Sequence, residues 1–406
     1  MLLAAATLAQ HVNWIWAQTV TITFTLCPVE LAWRNQIKES FIMKMNIKSG
    51  LAIIALALWI SCNAHAYPGE SVELNPVTGD YAINYWNGIG LEQTLFVPAT
   101  KIVPTVKSRF YLDAANKIVY RYSVSNSHQS KQSIVQHIFE SVNSVDGTRD
   151  DSRMGISTPD EYATSMAVLR ANHAALTTPA GWDGGVVFGY YDDERVRVAW
   201  DTAVDHVTDK SMDGIKPGNK VNDFGFTSTA LAGISVVEFM GNHPPRAYPV
   251  EGPLEDSAII QQLNDIEAND FVPRNAAVPT IAVPVPFDAA VLLDRIRTHV
   301  ATWPGKQLLD PTFAAQLDRY MAAAAEAYRL NSTKAGRENI MTVRKLLGKE
   351  HHNLDHDEDD DDTEEHKTAT RLTIDRLAAR VLDFDLRYVL KRIEHEHEDG
   401  DRRKER

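Results

Sequence analysis

The apolar residues of this chain change their repeat once, and that change limits the fold to a sheet-built part followed by a helix-built part. Up to Gly241 they recur mainly at every second position, and beyond Pro286 they recur at helical spacing. Eight prolines lie between, from Pro244 to Pro286, including Pro244-Pro245 and the run VPTIAVPVPF. Proline donates no ladder hydrogen bond and holds its predecessor extended, so 244–286 reads as a proline-rich linker with room for a short helix over 257–266.

In the first part, Ile118, Tyr120, Tyr122 and Val124 alternate with Val119, Arg121 and Ser123, one dry face against one wet. The stretches 132–140, 186–191, 195–200, 220–227 and 233–240 repeat the pattern. Turns are expected at Asn126-Ser127, at Asp183-Gly184-Gly185 and at Pro217-Gly218. Short strands with such punctuation predict an antiparallel β-sandwich over 67–243. Thr158-Pro159-Asp160-Glu161 is a capping box, and Tyr162, Met166 and Leu169 follow at helical spacing, so a helical insertion is expected over 159–175.

In the second part, Leu292, Ile296, Val300 and Trp303 share one stripe, and Phe313, Leu317, Tyr320, Met321, Ala324 and Tyr328 share another after the cap Asp310-Pro311. Ile340, Val343 and Leu347 mark a third helix, and Ile374, Leu377, Ala378, Val381, Leu382 and Val389 a fourth. A small helical bundle over 287–397 follows, with an acidic loop at 354–367 and a charged tail at 398–406. The fold class is therefore α+β and multidomain, a β-sandwich and then a bundle.

What folds also depends on residues 43–66. Lys44 and Lys48, the uncharged run 51–60 and Ala64-His65-Ala66 have the form of a secretory signal peptide, with the mature chain beginning at Tyr67. Ten apolar residues are too few to cross a bilayer, which needs about 20. Lipidation at Cys62 is the less favoured reading, because Trp59 stands where a lipobox has leucine. Residues 1–42 read as an untranslated upstream extension, since Lys38-Glu39 can be encoded by a ribosome-binding AAGGAG just before Met43. The expected localisation is periplasmic or extracellular.

Beyond residue 66 the chain carries 37 basic and 52 acidic side chains, a formal charge of −15, which disfavours nucleic acid as a partner. Both cysteines, Cys27 and Cys62, fall before Tyr67, so disulfides, cysteine nucleophiles and thiolate metal sites are not expected in the mature chain. There is no GxSxG, HExxH, P-loop or GxGxxG signature, and Asp223-Phe224-Gly225 lacks the lysine and catalytic loop of a kinase.

Two candidate sites remain. Tyr85, Trp86, Trp182, Tyr190, Tyr191 and Trp200 are candidates for an aromatic platform for a sugar or peptide. His352, Asp355, His356, Asp357, Asp359 and His366 are candidates for a divalent-cation site, calcium through carboxylates or zinc through histidines, if the third helix continues past His352. The loop is not an EF-hand, because Asp360 and His366 stand where glycine and glutamate are needed. No other cofactor is expected.

YRYSVSNSHQSKQSIVQHIFE, TPAGW at 178–182 and IKPGNKVNDFGFTSTALAGISVVEFMG together resemble a family of exported bacterial proteins of unassigned function with an Ig-like or fibronectin-like β-sandwich. The resemblance covers about residues 105–241 and implies no catalytic residues. The expected function is a non-catalytic exported interaction module with a protein or polysaccharide partner. The alternatives are a secreted hydrolase using carboxylates and a divalent-cation-binding protein using residues 351–366.

Overall fold

A computed structural model describes residues 67–149, 158–188, 196–202, 204–205, 210–211, 213–242, 253–254, 257–351 and 373–404. It is a mixed α+β chain in which every strand pairing is antiparallel. The strands are β1 (Ser71–Leu74), β2 (Tyr81–Trp86), β3 (Leu91–Phe96), β4 (Pro104–Leu112), β5 (Ile118–Asn126), β6 (Ile134–Val142), β7 (Leu176–Thr177), β8 (Trp182–Phe188), β9 (Val196–Thr202), β10 (Val204–Asp205), β11 (Lys210–Ser211), β12 (Lys220–Ser228), β13 (Leu231–Gly241) and β14 (Val272–Ile281). The helices are α1 (Pro159–Ala174), α2 (Ile260–Ala268), α3 (Ala289–Val300), α4 (Pro311–Arg329), α5 (Thr333–Glu350) and α6 (Arg376–Lys404).

Three sheets carry the architecture, in the orders β1-β2-β3, β4-β5-β12-β7 and β14-β13-β6-β9-β8, and β10-β11 form a separate two-stranded pair. The alternation read in 118–124 holds from Tyr120 onward, with Tyr120, Tyr122 and Val124 buried and Arg121 and Ser123 turned to the wetter side, while Val119, read on the wet face, is buried. The dry faces of the four- and five-stranded sheets meet through aromatic rings. Tyr122 lies 4.3 Å from Phe139, and Trp200 lies 5.7 Å from Phe224 and 6.2 Å from Phe226, centroid to centroid.

Asp183-Gly184-Gly185 is not a turn. These residues lie inside β8, where a Cβ on Gly184 would come 3.1 Å from Trp200 Nε1 and 2.8 Å from Leu176. The glycine makes room for the indole, as glycine in a strand does where a neighbour approaches closely. The capping box is present as read, with Glu161 N–H donating to Thr158 Oγ1 at 3.2 Å and Thr158 N–H to the Glu161 carboxylate at 2.8 Å.

The expected linker is a correction. Its described part contains α2 and β14, and β14 pairs with β13 along its whole length. The prolines are tolerated because β14 is an edge strand. Ala277 turns its N–H away from β13 to Ser108 Oγ (3.1 Å) and its carbonyl to Tyr122 Oη–H (2.9 Å). Pro273 and Pro279 are an even number of residues from Ala277, so the N–H each lacks would also have pointed away from the ladder. Through those bonds and Arg274 Nε–H to Pro104 O (2.8 Å), β14 ties the two larger sheets together at one edge.

The helices do not stand apart either. A single apolar core runs from Tyr120, Phe139 and Trp200 through Val237 and Val278 to Leu292, Leu317, Val343 and Leu386. Phe110 of β4 meets Phe384 of α6 edge to face at 5.1 Å, and the Arg380 guanidinium sits 5.6 Å above the Phe110 ring. Ile234 N–H donates to His299 Nε2 at 2.8 Å, and Lys306 Nζ donates to Ile234 O at 3.2 Å. The sheet β1-β2-β3 has its own small core, in which Ile83, Tyr85 and Phe96 pack on Leu263 of α2 and on Ile259, which caps its start. Among the described residues no helix is long and apolar enough to cross a membrane.

Candidate functional site

The aromatic platform is not assembled. Tyr85 is 2 % exposed, Trp182 7 % and Trp200 0 %, so these three rings form cores and offer no face to a ligand. Trp86 is half-buried and donates its indole N–H to Pro68 O at 3.0 Å. Tyr190 and Tyr191 lie outside the described residues. Large aromatics fill sheet interiors because they bury the most apolar area per residue, and that use has taken the rings.

The cation candidates His352, Asp355, His356, Asp357, Asp359 and His366 lie outside the described residues. α5 ends at Glu350, and His351 beyond it is extended (φ −132°), with its Nε2 2.9 Å from Ile374 O. The continuous helix that would align His352 with His356 therefore stops short of both. Among the described residues, no group of three His, Cys, Asp or Glu side chains is placed to hold a metal ion.

What the fold brings together instead is charge on the two outward sheet faces. On the five-stranded sheet, the positions alternating with the buried His137, Phe139, Val198, Trp200, Val237 and Phe239 hold Gln136 and Glu140 of β6, Arg197 and Asp201 of β9 and Glu238 of β13, among the apolar Ile138, Ala199, Val236 and Met240. Asp183 of β8 stands directly across from Asp201. Arg197 donates through Nε (2.7 Å) and Nη2 to the Glu140 carboxylate, and its Nη2 lies 3.9 Å from Glu238. Gln136 donates to Asp201.

Burial raises the Asp201 carboxyl from 3.8 to about 6, with Asp183 adding to the rise and the Gln136 bond opposing it. Burial likewise lifts Glu238 from 4.5 to about 7, helped by Glu140 and opposed by Arg197. Asp201 is thus half-ionised near pH 6 and Glu238 near pH 7. They stand on strands separated by β6 and two residues apart in register, so their Cα atoms are roughly 11 to 12 Å apart.

A carboxyl with a raised folded-state pKa favours the fold fully below its unfolded value and loses that contribution as pH rises through the folded one. For Asp201 the window is about pH 4 to 6. Asp201→Asn keeps the acceptor for Gln136 and removes the ionisation, so it is expected to stabilise the protein at pH 8 by about 2 to 3 kcal/mol and to change little at pH 3.5. Urea midpoints at the two pH values check this, and equal midpoints at pH 8 would contradict it.

The outward face of the four-stranded sheet has the opposite sign. Thr105, Lys107, Arg109 and Tyr111 of β4 stand beside Ser125, Ser123, Arg121 and Val119 of β5, pair by pair. Neither strand contains a carboxylate, and β12 adds Lys220 opposite Ser125. Lys107, Arg109 and Lys220 are exposed, Tyr111 is 44 % exposed, and the Arg109 guanidinium lies 6.0 Å from the Tyr111 ring centroid. Arg121 lies across β12 and donates to Thr177 Oγ1 at 2.8 Å. Gly225 permits this, since a Cβ there would be 2.6 Å from Arg121 Nη1 and 2.3 Å from Tyr120 O. Asp223, at the β12 irregularity, is the one acidic residue in that strand.

The wet side of β5 was legible from its alternation. Its union with β12 was not, because pairing between strands about a hundred residues apart leaves no local trace. A usable signal was present all the same, two nine-residue strands holding three cations and no acid in a chain of strongly acidic composition.

Comparison with protein-family models, with curated proteins and with solved structures gives no match to this chain.

Proposed function

We propose that the protein is a non-catalytic exported interaction module, a β-sandwich of the four- and five-stranded sheets backed by a helical bundle, acting in the envelope or outside the cell. The observation that carries this reading is the segregation of charge between the two outward sheet faces, exposed cations on the β4-β5-β12 side and a half-buried cluster of carboxylates around Arg197 on the β9-β6-β13 side. Open faces of fixed charge recognise extended partners and set orientation and association rate, whereas small substrates are taken into concave sites. The leader at 43–66 supports export, and the resemblance of residues 105–241 to exported bacterial sandwich proteins belongs to the same proposal.

One observation favours a second reading, a secreted hydrolase. Asp201 and Glu238 titrate near neutral pH, as a general acid and base would. Fractionation of the producing cell with N-terminal sequencing, followed by a panel of chromogenic glycosides, esters and peptides, separates the two. The proposal expects a mature chain beginning at Tyr67 in the exported fraction and no turnover. Turnover abolished by Glu238→Gln would replace it with the hydrolase.

A further inference from the structure

His137 of β6 sits in the aromatic layer between the two larger sheets, and its imidazole is fully buried. In register with it are Phe239 of β13 on one side and Trp200 of β9 on the other, whose rings lie nearly parallel to it with centroids 5.7 and 5.3 Å away. From the four-stranded sheet Phe224 meets it edge-on at 4.5 Å, and Trp182 and Phe139 stand at 5.5 and 5.8 Å. Neither Nδ1 nor Nε2 has a hydrogen-bond partner among the described residues. We infer that His137 is an acid trigger built into the fold, a ring that must stay neutral for the two larger sheets to remain together.

Protonation gives the imidazole a second N–H donor and a full charge. Ring faces attract a cation, but they supply neither an acceptor for two N–H groups nor the hydration that the charge gives up, so the site rejects the charged form. No carboxylate faces the ring to reverse this. Glu140 of β6, Asp183 of β8, Arg197 and Asp201 of β9 and Glu238 of β13 all stand on the opposite face of the five-stranded sheet. In the facing sheet β12 buries Phe224 and Phe226, and β5 buries Tyr122, which donates its Oη–H to Ala277 O. Lys220 and Asp223 of β12 are exposed, and Arg121 of β5 is on the wetter side. Burial accordingly pushes the His137 imidazole from 6.5 down to about 3.

With the folded value below the unfolded one, the penalty is absent above pH 6.5, grows as the pH falls and is complete near pH 3. The unfolded imidazole takes up its proton where the folded one does not, which lowers the folding equilibrium constant roughly 25-fold between pH 7 and pH 5. Asp201 and Glu238 act in the opposite direction over the same range, so a comparison of variants is needed to isolate the histidine. The inference uses the folded body alone and stands whether or not the chain is exported.

The test is urea unfolding of the full chain at pH 7 and pH 5, followed by near-ultraviolet circular dichroism. Three proteins are compared, the natural sequence, His137→Phe, which keeps a ring without the titration, and His128→Gln at an exposed histidine. From pH 7 to pH 5 the folding constant of the natural chain is expected to fall roughly 25-fold more than that of His137→Phe. His128→Gln is expected to follow the natural chain. Should His137→Phe not fold, proton–nitrogen spectra of the imidazoles in the natural chain decide, with His137 expected to stay neutral for as long as the chain is folded and to take up its proton only on unfolding. Equal losses in the natural chain and His137→Phe, or an imidazolium at His137 in the folded chain near pH 6, would overturn the inference.

Discussion

Trp200→Ala is expected to cost about 3 to 5 kcal/mol, a large share of the roughly 5 to 15 kcal/mol by which a domain is ordinarily stable. The indole is fully buried between the two larger sheets, in ring contact with His137, Phe139, Phe224 and Phe226. Its N–H donates to Thr178 Oγ1 at 3.2 Å, so truncation also leaves that hydroxyl without its donor. The site cannot collapse readily, because Gly184 already sits under the ring with no side chain to move in. Urea unfolding followed by circular dichroism measures the loss, and a change under 1 kcal/mol would show that Trp200 does not occupy the centre of the core. Trp200→Phe, which keeps a ring in place, should recover more than half of it.

Leu386→Ala is expected to cost about 2 to 5 kcal/mol, and to do so for the sheets as well as the helices. Leu386 is fully buried on α6, next to Asp385, whose carboxyl is held well above its ordinary value by burial while the Ala232 backbone N–H of β13 bonds to it. Because α6 closes the same core that holds the sheets, its loss of packing propagates into both. The measurement is the shift of the near-ultraviolet aromatic signal, dominated by sheet residues, against the shift of the far-ultraviolet helix signal. Equal shifts are expected. A shift confined to the helix signal would mean that the helices fold by themselves.

Much of the local structure was legible because it is set by neighbours in the chain. The capping box at Thr158, the cap and proline at Asp310-Pro311, and the stripe Phe313, Leu317, Met321 and Ala324 all stand where the sequence placed them. Tertiary relations were less legible. The prolines of 244–286 argue correctly against a central strand, but which side of an edge strand a missing N–H faces depends on the partner, and the partner is β13. Gly184-Gly185 has the composition of a turn, yet it lies inside β8, where Gly184 clears space for an indole from another strand. The rings of Tyr85, Trp182 and Trp200 have no mark in sequence that separates a core from a platform. The two charged faces, which carry the functional reading, arise only when β4, β5 and β12 and then β6, β9 and β13 are laid side by side.

Both charged faces depend on one structural condition, that sheets and helices are a single cooperative body presenting the charges in fixed positions. Hydrogen exchange across a denaturant series tests this directly. The slowest amides of β5, β9 and β13 and those of α3, α4 and α6 are expected to open with one common free energy and one denaturant dependence. Helical amides that open at lower denaturant while the sheet amides stay protected would contradict it, and would restore a hinge where β14 now joins the two parts.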